Sequence, residues 1–551
     1  MQTPDYIVFL VYFIIVSAYG LYVYNRKKHE DSKDYFLAKD SLTWWAIGAS
    51  LIASNISAEQ FIGMSGSGFT MGLAIAAYEW LAAVTLIIVA VFFIPIYIKN
   101  KIYTMPQFLK TRYNETVAMI MAVFWLLLYV VVNLTSILYL GALAISSISG
   151  LDLGLCMIAL ALFAIVITLG GMNVIGYTDV IQVVFLILGG LVTTYLALDL
   201  VAQHYGSAGP LSGLNLMTQN AGGHFDMIFE KDNPHFIDLP GLTILVGGMW
   251  IVNLNYWGCN QYITQRALGA DLKTARSGIL FAAFLKLLMP VIVVLPGIAA
   301  FVLFKEGVFE TEMLQNGEVV ADRAYPVLLN LLPVGLKGLS FAALTAAVVA
   351  SLAGKANSIA TIFTLDIYKK KLNPDADEKK QVQIGRWVII ISMVLAVAIA
   401  PYLGIDKKGG FQYIQEYTGF VSPGIFAMFL LGFFWKKTTS NAALFATIGG
   451  FLLSCLFKIS PEYVNLEFLH ASGFAVQNAD GIYEIPFIDR MGFVFLICVI
   501  VMYFISIYEN RRGVKPNGLE VDSSMFKTNP SFTVGALIVI GIIVALYSIY
   551  W

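Results

Sequence analysis

The chain has 551 residues, 58% apolar and only 13% charged, with a mean hydropathy of +0.77; a soluble domain carries about a quarter charged residues, so a soluble globular protein is excluded. The 34 Lys and Arg against 35 Asp and Glu give a net charge of -1, which leaves no basic face to neutralise phosphates and excludes a nucleic-acid partner. Cys156, Cys259, Cys455 and Cys498 all lie in apolar runs and read as packing residues, while His29, His204, His224, His235 and His470 lie in the polar stretches between runs. Neither set has the spacing of a metal site or could hold a haem within a membrane.

A membrane span needs roughly 20 mostly apolar residues, and runs of this kind predict about fourteen helices. In chain order they cover 5–24, 42–66, 70–98, 116–149, 154–172, 178–203, 241–265, 278–304, 339–368, 384–402, 411–434, 440–457, 488–508 and 530–551. The fold class is an all-α integral membrane protein with no separate soluble domain.

Lys and Arg collect in alternate loops, which sets the orientation. The first run lacks a small-residue cleavage site and is followed by Arg26, Lys27, Lys28 and Lys33, so it reads as a retained span with that loop inside. The same bias recurs at Lys99, Lys101, Lys110 and Arg112; at Arg266, Lys273 and Arg276; at Lys369–Lys371, Lys379 and Lys380; at Lys436 and Lys437; and at Arg511, Arg512 and Lys515. Both termini are then expected outside the cell membrane, as an even number of spans requires.

Two runs are interrupted by polar residues. Ile52-Ala53-Ser54-Asn55-Ile56-Ser57-Ala58-Glu59-Gln60 breaks the second, and Asn253-Leu254-Asn255-Tyr256-Trp257-Gly258-Cys259-Asn260-Gln261 breaks the seventh. Small polar residues can serve only as glue between helices. Interrupted segments five spans apart are, however, the pointer to an inverted-repeat transporter whose site lies at the midplane, where a broken helix is tolerated because it lines a polar cavity. Repeats of five spans each would occupy 41–204 and 241–436. Around them lie a first helix and inner loop (1–40), an outer loop (205–240) and flanking helices (437–551).

Ionisable residues deep in spans cost about 2.5–3.5 kcal/mol each on insertion scales and so call for a partner or a task. They are Glu59, Glu79, Asp179, Lys286, Lys355 and Glu416. Glu79 and Lys286 could form a structural ion pair. Together with Asn55, Gln60 and Gln415 they also form an alternating set of donors and acceptors, which suits a neutral polyhydroxylated ligand. Tyr78, Tyr129, Tyr256 and Trp257 could stack on the apolar face of a sugar, or serve as core.

The motifs Ser57-Ala58-Glu59-Gln60-Phe61-Ile62-Gly63, Tyr78-Glu79-Trp80, Asn133-Leu134-Thr135-Ser136, Tyr256-Trp257-Gly258, Asn260-Gln261, Phe411-Gln412-Tyr413-Ile414-Gln415-Glu416-Tyr417-Thr418-Gly419 and Val421-Ser422-Pro423-Gly424 closely resemble the sodium/solute symporter family and its sugar branch. The likeness runs in order over nearly the full chain. It implies the five-plus-five inverted-repeat, leucine-transporter-like fold, and alternating access in which sodium drives uptake of a monosaccharide such as galactose or glucose. Residue by residue, it implies a sugar set of Gln60, Glu79, Asn55, Lys286, Asn253 and Gln415, with Tyr78, Tyr129 and Asn133 around it and Tyr256 with Trp257 as the inner gate. The sodium site would use the carbonyls of Ala53, Ile56 and Ala347 and the hydroxyl of Ser351, with Asp179 on the ion's path.

Three positions depart from the family pattern. Ala350 stands where a second serine is common, Ala82 stands where a serine is near the sugar, and Lys355 lies one turn after Ser351, on the same helix face. Lys355 could line the inner exit, pair with Asp179, or take the place of sodium and make transport sodium-independent. Other neutral polyols or organic solutes, myo-inositol and sialic acid among them, are the alternative substrates. No organic cofactor is implied. No Gly-x-x-x-x-Gly-Lys-Ser/Thr loop occurs, which argues against a pump with its motor in this chain. A channel lacks a filter segment here, a sensor lacks a signalling domain, and an enzyme lacks a nucleophile or cofactor motif beside Glu79 and Lys286.

Overall fold

Lipid offers backbone groups no hydrogen-bond partner, so an apolar chain must close its bonds within helices. The computed structural model is accordingly helical through its apolar core. It describes residues 3–26, 42–169, 172–315, 317–330, 332–402, 409–478 and 480–551; the basic residues Lys27, Lys28 and Lys33 lie outside these.

Among the described residues, nine helices are long and apolar enough to cross a membrane, and the pair Gly410–Gly419 and Ser422–Phe434, bent by 51°, makes a tenth. The count of fourteen is not met by length alone because several expected runs are subdivided. The run at 241–265 becomes Thr243–Val246, Gly248–Gly258 and Gln261–Leu268, and the run at 154–172 becomes the 16-residue helix Leu153–Thr168. The runs at 42–66 and 70–98 share one helical stretch, Glu59–Lys99, of 41 residues.

Such a stretch would be about 60 Å long if straight, twice the thickness of a bilayer core. Gly72, at φ +71°, divides it. A side chain there would be strained by the left-handed backbone and would overlap the His224 carbonyl, so glycine alone meets both demands.

The 34-residue helix Leu272–Lys305 packs along Trp44–Asn55, Ser65–Met71 and Ala77–Ile88. Gly297 lets its backbone meet that of Ser65, where any Cβ would collide, the close approach that small residues permit between membrane helices. Leu336–Thr361 lies against Met172–His204 on one side and Glu378–Ile399 on the other. The end of Ser422–Phe434 and the turn after it are tied down by the buried Arg112, which donates to the carbonyls of Gly432 (2.8 Å), Trp435 (2.9 Å) and Thr438 (3.1 Å); a helix end otherwise leaves such carbonyls open. The loops carry two small antiparallel hairpins, in which Leu314 pairs with Val319 and Val476 with Glu484.

Asp322 ties the loop after Leu272–Lys305 to the bent pair, since its Oδ2 accepts from the Gly410 N–H at 2.8 Å. Burial pushes its carboxyl from 3.8 up to about 7, with the Gly410 N–H pulling the other way. The folded state therefore holds this proton over a range where the unfolded chain has lost it. The contribution is fully present below the unfolded value and is lost as pH rises through about 7. Asp322→Asn, which keeps an acceptor for Gly410, is expected to flatten the fall in melting temperature between about pH 5 and pH 8 that wild type shows in detergent.

Candidate functional site

The helix Trp44–Asn55 ends because Ile56 takes an extended conformation (φ -75°, ψ 101°), and the chain resumes as the wide turn Glu59–Met64. Ser57 N–H, which a continuing helix would aim at the Ala53 carbonyl, donates instead to Gln60 Oε1 at 3.2 Å. Gln60 N–H, the helical partner of the Ile56 carbonyl, donates to the Ser57 carbonyl at 3.1 Å. The carbonyls of Ala53 and Ile56 thus fall outside the helix ladder. From Leu336–Thr361, the Ser351 hydroxyl reaches the same break and donates to the Ser54 carbonyl at 3.0 Å. Ala347 precedes Ser351 by one turn on that face. Carbonyl and hydroxyl oxygens in this combination suit a hard cation.

One turn before Ser54, the Ser50 hydroxyl donates to Asp179 Oδ2 at 2.6 Å and accepts from Arg266 Nε at 3.0 Å. Arg266 also approaches Asp179 directly, at 3.8 Å. Asp179 is therefore held by Ser50 and Arg266, and the pairing of Lys355 with Asp179 considered from sequence is not formed. Lys355 donates to Asn133 Oδ1 at 3.1 Å.

The second interruption lies further along than its polar residues suggest. The helix Gly248–Gly258 runs unbroken through Asn253 and stops at Cys259. Tyr97 donates to the Gly258 carbonyl and Met105 N–H donates to Gln261 Oε1, both at 2.7 Å, and the Tyr129 hydroxyl bonds the Asn260 side chain. Asn253, Tyr256 and Trp257 follow the spacing i, i+3, i+4, so they share one helix face.

That face and the first break enclose a cavity. Asn55, Gln60, Tyr78, Glu79, Asn133, Asn253, Tyr256, Trp257, Lys286 and Gln415 all line it. Tyr129 does not: it is buried behind Asn260. Lys286 and Glu79 pair at 2.5 Å with only 1% and 4% of their side chains exposed. The same ammonium bonds Asn55, whose Nδ2 donates to the Tyr256 hydroxyl at 3.3 Å. Lys286 also sits 5.1 Å from the centre of the Trp257 ring. A chain of donors and acceptors thus crosses the cavity wall from Glu79 to Tyr256.

Glu59, Asn255, Asn260, Thr418 and Ser422 line the cavity as well but were not assigned to the site from sequence. Asn255 and Asn260 belong to the interrupted segment, and Thr418 and Ser422 follow Gln415 at helical intervals, which is the signal that could have found them. Ala82, one of the departures, is also in the wall. Glu416 instead lines a separate cavity, bonded to Lys458 at 2.7 Å and Arg490 at 3.1 Å. The lining holds two carboxylates, Glu59 and Glu79, two ammoniums, Lys286 and Lys355, and no Arg among the described residues. Its formal charge balances.

The model of the sodium:solute symporter family matches residues 35–450. A sodium/glucose cotransporter of Vibrio parahaemolyticus is 46% identical over an alignment covering 99% of this chain and 98% of its own. The chain belongs to the sodium:solute symporter family. A human sodium/myo-inositol cotransporter 2 is 34% identical over 85% of this chain and 71% of its own length. Among solved structures, a Na+-coupled sialic acid symporter in a substrate-bound outward-open state superposes with a TM-score of 0.75 at 21% identity, covering 92% of this chain and 98% of that one. The symporter therefore has the leucine-transporter-like fold that the motifs implied, as a multi-pass membrane protein.

Breaking a buried ion pair strands its partner's charge, at about 3–5 kcal/mol. Lys286→Met is expected to lower thermal stability in detergent by that order, and Lys286→Met with Glu79→Gln to recover most of the loss, because no charge is then left unpaired.

Proposed function

We infer that the protein is a secondary active transporter that couples the inward movement of sodium to that of a neutral monosaccharide, galactose or glucose, by alternating access across the plasma membrane. The observation that carries this reading is the cavity between the two helix breaks, with its balanced charge and its continuous string of donors and acceptors. An anionic solute would call for an unpaired cation, whereas here Lys286 is opposed by Glu79. A polyol, offering hydroxyls that both donate and accept, matches Gln60, Asn253 and Gln415 in turn. The Vibrio sodium/glucose relative, similar over nearly the whole chain, supports the same substrate class.

In this reading Gln60, Glu79, Asn55, Lys286, Asn253 and Gln415 hold sugar hydroxyls, with Tyr78 and Asn133 beside them. Tyr256 and Trp257, edge to face with centroids 5.2 Å apart, close the path toward the cytoplasm. Sodium takes the carbonyls of Ala53, Ile56 and Ala347 and the Ser351 hydroxyl, which must turn from the Ser54 carbonyl to meet it. Asp179 stands on the ion's way in, and both chain ends lie outside. Solute crosses unchanged, with no bond made or broken. One sodium moving down about 100 mV supplies about 2.3 kcal/mol, enough for roughly a fifty-fold sugar gradient.

The test is uptake of radiolabelled galactose and glucose into proteoliposomes under an inward gradient of sodium or of potassium. Accumulation with sodium alone is expected; equal uptake in both salts would refute coupling, and uptake of neither sugar would refute the substrate. In the same vesicles, Gln60→Ala should weaken sugar affinity by about 1–3 kcal/mol through an unmet buried partner. Ser351→Ala should raise the sodium concentration needed for half-maximal uptake while leaving the protein folded. Unchanged sodium dependence would move the ion elsewhere.

A further inference from the structure

Lys355 is 3% exposed, and an ammonium that deep in a membrane protein calls for a task. It lies four residues after Ser351 on Leu336–Thr361, hence one turn along the same face. Two other elements reach it. From the turn Leu128–Leu134, Asn133 accepts its hydrogen bond at 3.1 Å and the Tyr129 ring centre lies 5.8 Å away. From Gly248–Gly258, the Tyr256 ring centre lies 6.0 Å away. Both rings are within the range at which an ammonium is held by an aromatic face. Each tyrosine is anchored again at its hydroxyl: Tyr256 accepts from Asn55, the last residue before the first break, and Tyr129 bonds Asn260, at the second. Glu59, beside the first break, supplies the opposing charge.

We propose that Lys355 is a positioning residue for the inner gate that links it to the ion: the ammonium holds Tyr129 and Tyr256 together beneath the sugar and, one turn from Ser351, repels the sodium bound there. This rests on the symport reading above. Like charges in a poorly screened interior oppose each other, so sodium at Ser351 presses the ammonium toward the tyrosine faces and favours the closed gate, and a closed gate, which keeps the ammonium back from the ion, in turn favours sodium binding, the two effects being reciprocal. Lys355 does not replace the ion. It lowers the ion's affinity and favours release to the inside once the gate opens.

The experiment compares wild type, Lys355→Met, Lys355→Gln and Lys355→Arg, each full length in proteoliposomes. Two quantities are read: the sodium concentration for half-maximal galactose uptake, and galactose efflux with sodium absent on both sides. Loss of the charge in Lys355→Met should lower the half-saturating sodium about fivefold and raise sodium-free efflux about tenfold, and Lys355→Arg should return both toward wild type. Lys355→Gln serves as the second neutral variant should the methionine form fail to assemble. Neutral variants within about twofold of wild type on both readings, or an arginine form that behaves like the methionine form, would overturn the proposal. A wild type that does not accumulate galactose on a sodium gradient would overturn the symport reading and this one with it; normal wild-type accumulation with unmoved variants overturns this one alone.

Discussion

The structure depends on one constraint: inside a bilayer every backbone N–H and C=O must find its partner within the protein. A helix may open there only if something else takes up the freed groups. At the first break Gln60 folds its side-chain carbonyl back onto Ser57 N–H, and at the second the Tyr97 hydroxyl takes up the Gly258 carbonyl. At the first break it is the donors that are satisfied, and that has a consequence. The Ser57 and Gln60 N–H groups released at the first break are consumed locally, while the carbonyls of Ala53 and Ile56 are left outside the helix ladder. An opening built this way favours positive charge over negative.

The same accounting governs the side chains. Four ionisable groups reach the cavity, and a charge without an opposing one would be prohibitive in this setting. Glu79 is cancelled by Lys286 at contact distance, and Lys355 has Glu59 as its opposing charge. Once the wall is neutral in sum, a charged solute would upset it, whereas a neutral polyhydroxylated one leaves the balance unaltered. Substrate class follows from the electrostatics of the scaffold more than from any single contact.

How much of this is legible in the sequence depends on what a given residue reports. The segment from Ile52 to Gln60 declares itself because polar side chains there coincide with the backbone opening. In the seventh run polarity and opening separate: Asn253 through Gly258 remain helical, and the break comes at Cys259, because polar residues on a single face mark a cavity and leave the ladder intact. Helical spacing carries side chains reliably only along an unbroken helix. That is why Glu59, which follows a non-helical joint, could be recognised as costly but not given a place. Spacing is also blind to depth, so Tyr129 and Tyr78 look alike in sequence although one stands behind Asn260 and the other faces the cavity. For Lys355 the face was legible from its offset to Ser351, but a long flexible side chain can reach several partners from one Cα. Only the packing of Leu128–Leu134 against Leu336–Thr361 selects Asn133.

Coupling two solutes requires that each stabilise an arrangement the other also needs, and the first break provides a common element. Within eight residues, Ala53 and Ile56 have carbonyls outside the helix ladder, and Asn55 and Gln60 line the cavity. Asn55 also reaches Tyr256 on the second broken segment, so a shift of the joint is transmitted to the opposite wall of the cavity. Ser351 and Lys355 repeat this arrangement on Leu336–Thr361, one turn apart, the first at the Ser54 carbonyl beside the break and the second at the tyrosines. Two elements therefore each touch both the break and the cavity. With an ion at the break and a solute in the cavity, that is sufficient for thermodynamic linkage without a long-range pathway, because both would act on the same few residues.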